Sequence, residues 1–550
     1  MKKKQDILEL FLIVGILIFL NIIINKYFFR LDFTEDKRYT LSPVTKNVLG
    51  TLEGDVHVEV FLSGDLNPDY ERLKKSIQEK LEQFKAHSSK NFTYRFIDPN
   101  EEADKTLRER FHMLLYKRGI KPTYYLDEKN GQKTEKFIFP GAIISYQTKE
   151  APVMFLKGNK VSSQEEQLNQ SVESIEFELL QGFRQLTTKE YKTITLIDGH
   201  GEPSKEKFIE ISNALNKVYN LQRRKLDSLN VLDNSDVVLI ASPTIPFTEK
   251  EKFVLDQYVT KGGRLLIAMD QADIRKDSLK NGVTYGLERH LNLNDLFFKY
   301  GFRMNPNAVS DLNCATTVIQ TGLNGESQAL SFPYYPIIYQ FGKHSTTKNL
   351  DAIKLIFAGT IDTVKSEGVS KTVLLQTSTQ SKVLNAPFQI DLDFLKRNSD
   401  PETFTAGPQI TGLLLEGTFS SLYKNKPSPW TGAVVNDSVV ASKIIVLSDG
   451  DLILNDVDPY RGEPIPLGYD KDMRYQFSNK ELILNAVDYL MDQELMEVRT
   501  KEVKLRPLNK EELTNRAFFW KFLNIAIPIL VIVSYGVFKH IQRKKRFGSF

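Results

Sequence analysis

Cysteine is nearly missing from this chain: Cys314 stands alone among 550 residues. One thiol excludes an intramolecular disulfide. With no C-x-x-C and no Cys/His pairing, dithiol redox chemistry and the common zinc motifs are excluded as well. No histidine lies near Cys314 in sequence, so it reads as a bystander thiol. The signatures of a reaction are also absent. There is no G-x-x-x-x-G-K-[ST], so the chain is not a P-loop ATPase, and any motor it serves is another subunit. Neither G-x-S-x-G nor H-E-x-x-H occurs. A clustered basic face is lacking too. The 73 Lys and Arg against 69 Asp and Glu give a net charge of +4. Much of that excess sits in Lys2, Lys3 and Lys4 and in Lys539, Arg543, Lys544, Lys545 and Arg546. The middle is near neutral and carries no electrostatic footprint for nucleic acid. The expectation is a protein with no catalytic residue, no metal and no cofactor.

What the chain does have is two long apolar runs, one near each end. Residues 10–29 are apolar except for Asn21, Asn25 and Lys26, and twenty helical residues span ~30 Å, the thickness of a bilayer core. No small-x-small cleavage site follows; the run exits through Tyr27-Phe28-Phe29-Arg30. It reads as an uncleaved anchor rather than a signal peptide. Residues 518–538 form the second run, with Lys521 and Asn524 near its start, Pro528 inside it, and Trp520 and Tyr535 as belt residues. Basic flanks precede the first run and follow the second. The positive-inside rule then puts both termini in the cytoplasm and the body on the far side of the membrane, which is the periplasm if the cell has two membranes and the outside otherwise.

The body reads as mixed α/β. Hydrophobic residues make up 41% and charged residues 26%, a globular balance. A basic N-terminus (1–9), the first anchor (10–29) and a charged juxtamembrane collar (30–54) lead into a small α/β domain (55–150). There, alternation at Val56, Val58 and Val60 gives a strand, and Tyr70, Leu73, Ile77, Leu81 and Phe84 a helix. Residues 92–97 give a second strand, and a helix over 106–118 precedes strands near 123–126 and 137–146. That layout is thioredoxin-type. Residues 151–190 carry an amphipathic bridging helix. The main domain (191–498) alternates strands at 194–197, 237–241 and 264–269 with helices, which argues a parallel sheet covered on both faces. Strands at 373–376, 412–415 and 443–447 extend it, whereas 303–410 shows no clear period. A charged linker (499–517), the second anchor (518–538) and a basic tail (539–550) complete the chain.

Two loops hold the candidate ligand residues. The first, Asp198-Gly-His-Gly-Glu-Pro203, follows a predicted parallel strand, where open α/β sheets bind ligands. Asp198, His200 and Glu202 could hold a metal or a sugar there; the other reading is a turn whose acids cap the next helix. Asp449 and Asp451 follow another strand, but their spacing does not match an EF-hand loop, and a solvated turn is the alternative. For docking to a membrane partner the candidates are Arg30, Asp32, Asp36, Lys37, Arg38 and Tyr39 in the collar, and Asn21 and Asn524 within the anchors.

Together RLDFTEDKRYTLSPVTKNVL from Arg30, FIDP at 96–99, FPGAIISY at 139–146, GHGEP, LSDGDLILN at 447–455 and NRAFFWKFLNIAIP at 515–528 resemble the GldG family of gliding-motility proteins over essentially the whole chain. The resemblance implies a membrane-anchored auxiliary, substrate-binding-like subunit of an ABC-2-type transporter. Its partners would be a permease and a separate ATPase, with other motility components. It also implies an amidotransferase-like but non-catalytic core, because the strand at 237–241 runs into Ser242-Pro243-Thr244 where true amidotransferases place a cysteine. Two rival readings stay open: a scaffold coupling the inner membrane to motility or secretion machinery, and an envelope hydrolase using the GHGE loop.

Overall fold

The computed structural model describes residues 40–129, 132–156, 164–188, 190–320, 327–348, 350–392, 400–436, 440–491 and 516–547, together with the single positions 12, 15 and 498. The first predicted anchor, the collar through Tyr39 and the linker through Asn515 therefore lie outside the described residues, apart from those isolated positions. The chain forms two compact units, Met1–Lys501 and Glu502–Phe550.

The first lobe begins with α1 (Pro43–Gly50), β1 (Val56–Val60), α2 (Pro68–His87) and β2 (Phe92–Phe96). α2 starts where local chemistry directs it. The Asn67 side chain accepts from the Tyr70 N–H, Pro68 occupies the first turn, and Asp69 and Glu71 face the positive end of the helix dipole. β1 and β2 run parallel, as a strand–helix–strand unit requires. Next come α3 (Lys105–Lys117), the hairpin of β3 (Thr123–Lys129) and β4 (Gln132–Ile138), then β5 (Gly141–Tyr146) and β6 (Lys149–Met154). The predicted strand at 137–146 is thus two strands. Its first residues close the hairpin, and only the remainder joins the sheet, which has the order β2-β1-β5-β6 with β5 and β6 antiparallel. α1, α2 and α4 (Gln164–Thr187) cover one face, around Leu73, Ile77, Phe84 and Phe183. On the other face Leu115 of α3 packs with Phe61, Phe139 and Ile143. α4 also turns Phe177 and Leu180 into the core of the second lobe.

The second lobe is built on a seven-stranded sheet. Its strands are β7 (Thr193–Ile197), β8 (Asn220–Arg224), β9 (Val237–Ala241), β10 (Arg264–Ala268), β11 (Val369–Gln376), β12 (Ile410–Thr418) and β13 (Ala441–Leu447), in the order β11-β12-β13-β10-β9-β7-β8. The five from β13 to β8 are parallel; β12 runs antiparallel to both its neighbours, β13 and β11. Alternation sends Leu239, Leu266 and Ile445 to one face, beneath α5 (Ile209–Leu215) and α8 (Asn479–Met491). Ile240, Ile267 and Val446 go to the other, beneath α6 (Glu249–Thr260) and α7 (Asn294–Tyr300). The stretch without clear period is a set of short antiparallel ladders: 302–304 with 361–363, 307–311 with 381–385, and 314–320 with 327–338.

The second unit carries one long helix, α9 (Ala517–Phe547), with Pro528 inside it. Its stretch Ala517–Gln542 is 26 residues long and reaches a mean hydropathy of 2.0 over an 18-residue window; that is about 39 Å of helix, enough to cross a bilayer. It is the only helix among the described residues that meets that requirement.

Candidate functional site

β7 has β8 on one side and β9 on the other, so the strand order reverses at β7. A crevice at the carboxyl ends of β7 and β9 is where such sheets place ligands. The loop Asp198–Pro203 fills that position. Gly199 and Gly201 hold φ of +112° and +73°, conformations that L side chains avoid. A Cβ on Gly201 would lie 2.1 Å from Thr244 Oγ1. The His200 carbonyl accepts from the N–H groups of Thr244 at 2.7 Å and Ile245 at 2.8 Å, which ties the β7 loop to the β9 loop.

His200 is 2% exposed and stacks on Phe247 with ring centroids 3.7 Å apart. Its Nδ1 lies 3.4 Å from Glu202 Oε1 and its Nε2 3.3 Å from Glu251 Oε2. Burial opposes charging the imidazole, but the two carboxylates outweigh it and raise the His200 pKa above its ordinary value. Burial likewise opposes ionising Glu202 and Glu251. Hydrogen bonding and the His200 charge prevail at both, with the Thr248 cap contributing at Glu251, and their pKa values are lowered. Glu202 does not cap the following helix, contrary to the capping alternative. Its Oε2 turns back to accept the N–H groups of Gly199 at 2.8 Å and His200 at 2.7 Å. Asp198 stays near the surface, 3.7 Å from Arg223.

The second loop is not a solvated turn. Asp449 is 1% exposed. It accepts from the N–H groups of Ile356 and Asp451, at 2.7 and 2.8 Å, and so caps a short 3-10 turn. Asp451 pairs with Lys276, and Asp270, at the end of β10, accepts from the Gly450 N–H. Burial and then the Asp451 charge push the Asp270 carboxyl up to about 7. Burial, with Asp451 and Asp270 as neighbours, raises Asp449 well above the carboxylate range. Asp449 through the Ile356 N–H and Asp451 through the Lys276 ammonium hold two parts of the segment between β10 and β13 against the end of the sheet.

The structure therefore brings His200 together with Glu202, and Asp449 with Asp451. Among the described residues no hydrogen bond or ion pair joins the two groups. Between them sits Ser242, with a φ of +46° at the end of β9, packed against Gly450. Among the described residues no group of three or more His, Cys, Asp or Glu is arranged to hold a metal ion. Sequence reading missed Glu251, Phe247, Asp270 and Lys276. Only Glu251 carried a local signal, the capping box it forms with Thr248.

A cavity of about 430 Å³ lies away from both loops, among α4, α5 and α8. Asp488 lines it, accepting from Tyr219 Oη at 2.5 Å and Gln181 Nε2 at 3.0 Å. Of the docking candidates, Asn524 is exposed on α9; Asn21, Arg30, Asp32, Asp36, Lys37, Arg38 and Tyr39 lie outside the described residues. Just past them the chain is held firmly. Glu176 of α4 accepts from the Ser42 N–H at 2.7 Å and Thr45 Oγ1 at 2.9 Å, and pairs with Lys80 at 3.3 Å.

Residues 35–145 match a domain of unknown function, DUF7088. An uncharacterized protein of Borreliella burgdorferi is 24% identical over 566 residues, covering 99% of each chain. The solved N-terminal domain of mmIFT52 aligns at 12% identity over 55% of this chain and 98% of its own, with a TM-score of 0.32, too low to carry an argument. Residues 191–486, more than half of the chain and the whole of the parallel sheet, match the family described as an ABC-type uncharacterized transport system. The chain belongs to that family and is an auxiliary component of an ABC-type transport system, with parts of the transporter as its partners.

Proposed function

We propose that the chain is a non-enzymatic subunit, anchored by two membrane spans, of a GldG-type ABC-2 transporter. Its body stands on the extracytoplasmic side, and the permease and ATPase are separate chains. The observation that carries this reading is the union of two features. A sheet belonging to the transport-system family has no nucleotide-binding loop, and the same chain has an apolar helix long enough to cross a bilayer. Basic residues beyond that helix and before the first apolar run support cytoplasmic termini. The state of the GHGE loop supports a structural role for it. The His200 ring is shut between Glu202, Glu251 and Phe247, with no bond to a nucleophile among the described residues. The thioredoxin-like reading of the first lobe is supported by its β2-β1-β5-β6 order, and the amidotransferase-like reading of the second by the left-handed Ser242 after β9. A role in gliding motility rests on the sequence resemblance.

Within the bilayer the anchors would hold the permease through packing and polar side chains. The pair Asn21→Leu and Asn524→Leu is expected to reduce co-purification of the permease in mild detergent. Unchanged recovery would remove these residues from the interface. Impermeant thiol labelling of cysteines placed in the body and in the two tails tests the topology. Labelling of the tails from outside intact cells would refute it.

A further inference from the structure

α2 and α3 cover opposite faces of the first lobe, and they treat their apolar residues differently. In α2 the apolar positions Tyr70, Leu73, Ile77, Leu81 and Phe84 are all buried. In α3 only Leu115 is buried, while Leu107, Met113, Leu114 and Tyr116 are between 48% and 60% exposed. A large outward apolar set on one helix marks an interaction surface. It continues onto the hairpin. His112 of α3 packs on Phe137, Phe137 on Tyr124, and Tyr124 is itself 65% exposed.

Charge selects the partner. On a helical wheel Arg110 and Lys117 fall between the pair Leu107 and Leu114 and the pair Met113 and Tyr116, at 100° per residue. Neither cation has an ion pair among the described residues. Lys105 lies 3.9 Å from Glu109, the one acidic residue of the helix. Long cationic stems among exposed Leu, Met and Tyr make a basic amphipathic face, the pattern of a helix lying in a bilayer interface. A protein groove would favour an apolar centre with charge confined to the rim; here the cations run down the middle. Chain length brings the surface within reach. Only residues 30–39 separate the first apolar run from the described body, at most ~36 Å of chain. A lobe of this size has a radius of gyration of about 15 Å. A tether that short raises the effective concentration of lipid at the lobe, so a weak interfacial affinity suffices.

We propose that the outward face of α3, with Tyr124, rests on the outer surface of the bilayer, with Arg110 and Lys117 reaching anionic lipid headgroups. The inference rests on the proposed reading of the chain as anchored in the membrane by both apolar runs. It makes the first lobe a bilayer-seated foot rather than a free arm.

The test uses the full chain in nanodiscs of anionic or zwitterionic lipid carrying brominated acyl chains. In a Trp430→Phe, Trp520→Phe background, Tyr116→Trp supplies a single indole on α3. Trp430→Phe alone leaves native Trp520 as the anchor probe. The expected result is a blue shift and quenching at position 116 in anionic discs, weakened by high salt and by Arg110→Gln with Lys117→Gln. Met113→Asp should abolish it with Trp520 still quenched. An unquenched indole at 116 beside a quenched Trp520 would overturn the proposal and leave anchoring intact. If Trp520 is also unquenched, the anchored reading fails with it. A blue shift at 116 that needs co-reconstituted permease and shows no bromine quenching would assign the face to a protein and overturn the lipid assignment.

Discussion

Replacing His200 with phenylalanine keeps a ring against Phe247 but removes the positive charge between two carboxylates. Glu202 has a side-chain exposure of 2%, and Glu251 is about one-quarter exposed, at 24%. Removing one partner of a buried ion pair costs about 3–5 kcal/mol, because the remaining charge is left uncompensated. Here Glu202 keeps two backbone N–H donors and Glu251 keeps its Thr248 cap, so the lower end applies, ~3 kcal/mol. At ~2–4 °C per kcal/mol, that lowers Tm by at least ~6 °C. The pH dependence separates this explanation from lost packing. His200 has a raised pKa, so its contribution is full below the unfolded value and disappears as pH rises through the folded one. Glu202 and Glu251 have lowered values, so theirs is full above the unfolded value and disappears as pH falls through the folded one. The gap between wild type and variant is therefore widest at about pH 5–6, between the unfolded Glu and His values, and narrows on both sides. Thermal unfolding across pH measures it. A gap independent of pH would refute the ion-pair account. Transport lost with stability unchanged would return the loop to chemistry.

Gly201→Ala forces a Cβ to within 2.1 Å of Thr244 Oγ1 at a φ of +73°, and should destabilise by about 2 kcal/mol or more. Adding Thr244→Ala should recover only the clash, leaving the backbone strain visible in a double-mutant cycle. Asp270→Asn should flatten the pH dependence of stability. With its folded pKa pushed up to about 7, the native state holds an extra proton above the unfolded value of ~3.9, so wild-type stability falls as pH rises toward 7. Urea unfolding at pH 5 and pH 8 checks whether the variant loses that slope. Glu176→Ala removes the acceptor for Ser42 and Thr45. It should raise hydrogen exchange across Pro43–Gly50 by about 1–3 kcal/mol of local stability while β7 to β10 stay protected.

Elements whose signal is local were legible. The buried strands at 194–197, 237–241 and 264–268 are short, mostly apolar runs, and α2 shows a full 3.6 period. β8 was missed because NLQRR is a polar edge strand, defined only by its pairing with β7. The ladders of 302–304 with 361–363 and of 307–311 with 381–385 pair residues tens of positions apart, Val309 with Val383 for one, and no window of sequence contains both partners. The same limit applied at the loops. Asp198–Pro203 was found as a loop after a parallel strand, but the second carboxylate on His200 comes from Glu251, on another element of the sheet lobe. The Asp449 turn looked solvated because its acids are dense. It is buried because Lys276 and the Ile356 N–H come to it from another part of the chain.

The central claim is that this chain serves a motor carried by other subunits. Cross-linking of the full chain in its native membrane, followed by purification under denaturing conditions, tests it most directly. The account predicts recovery of a multi-span permease and an ATPase bearing a P-loop, cross-linked to this chain or to one another. Recovery of motility or secretion components with no ABC subunit would contradict it.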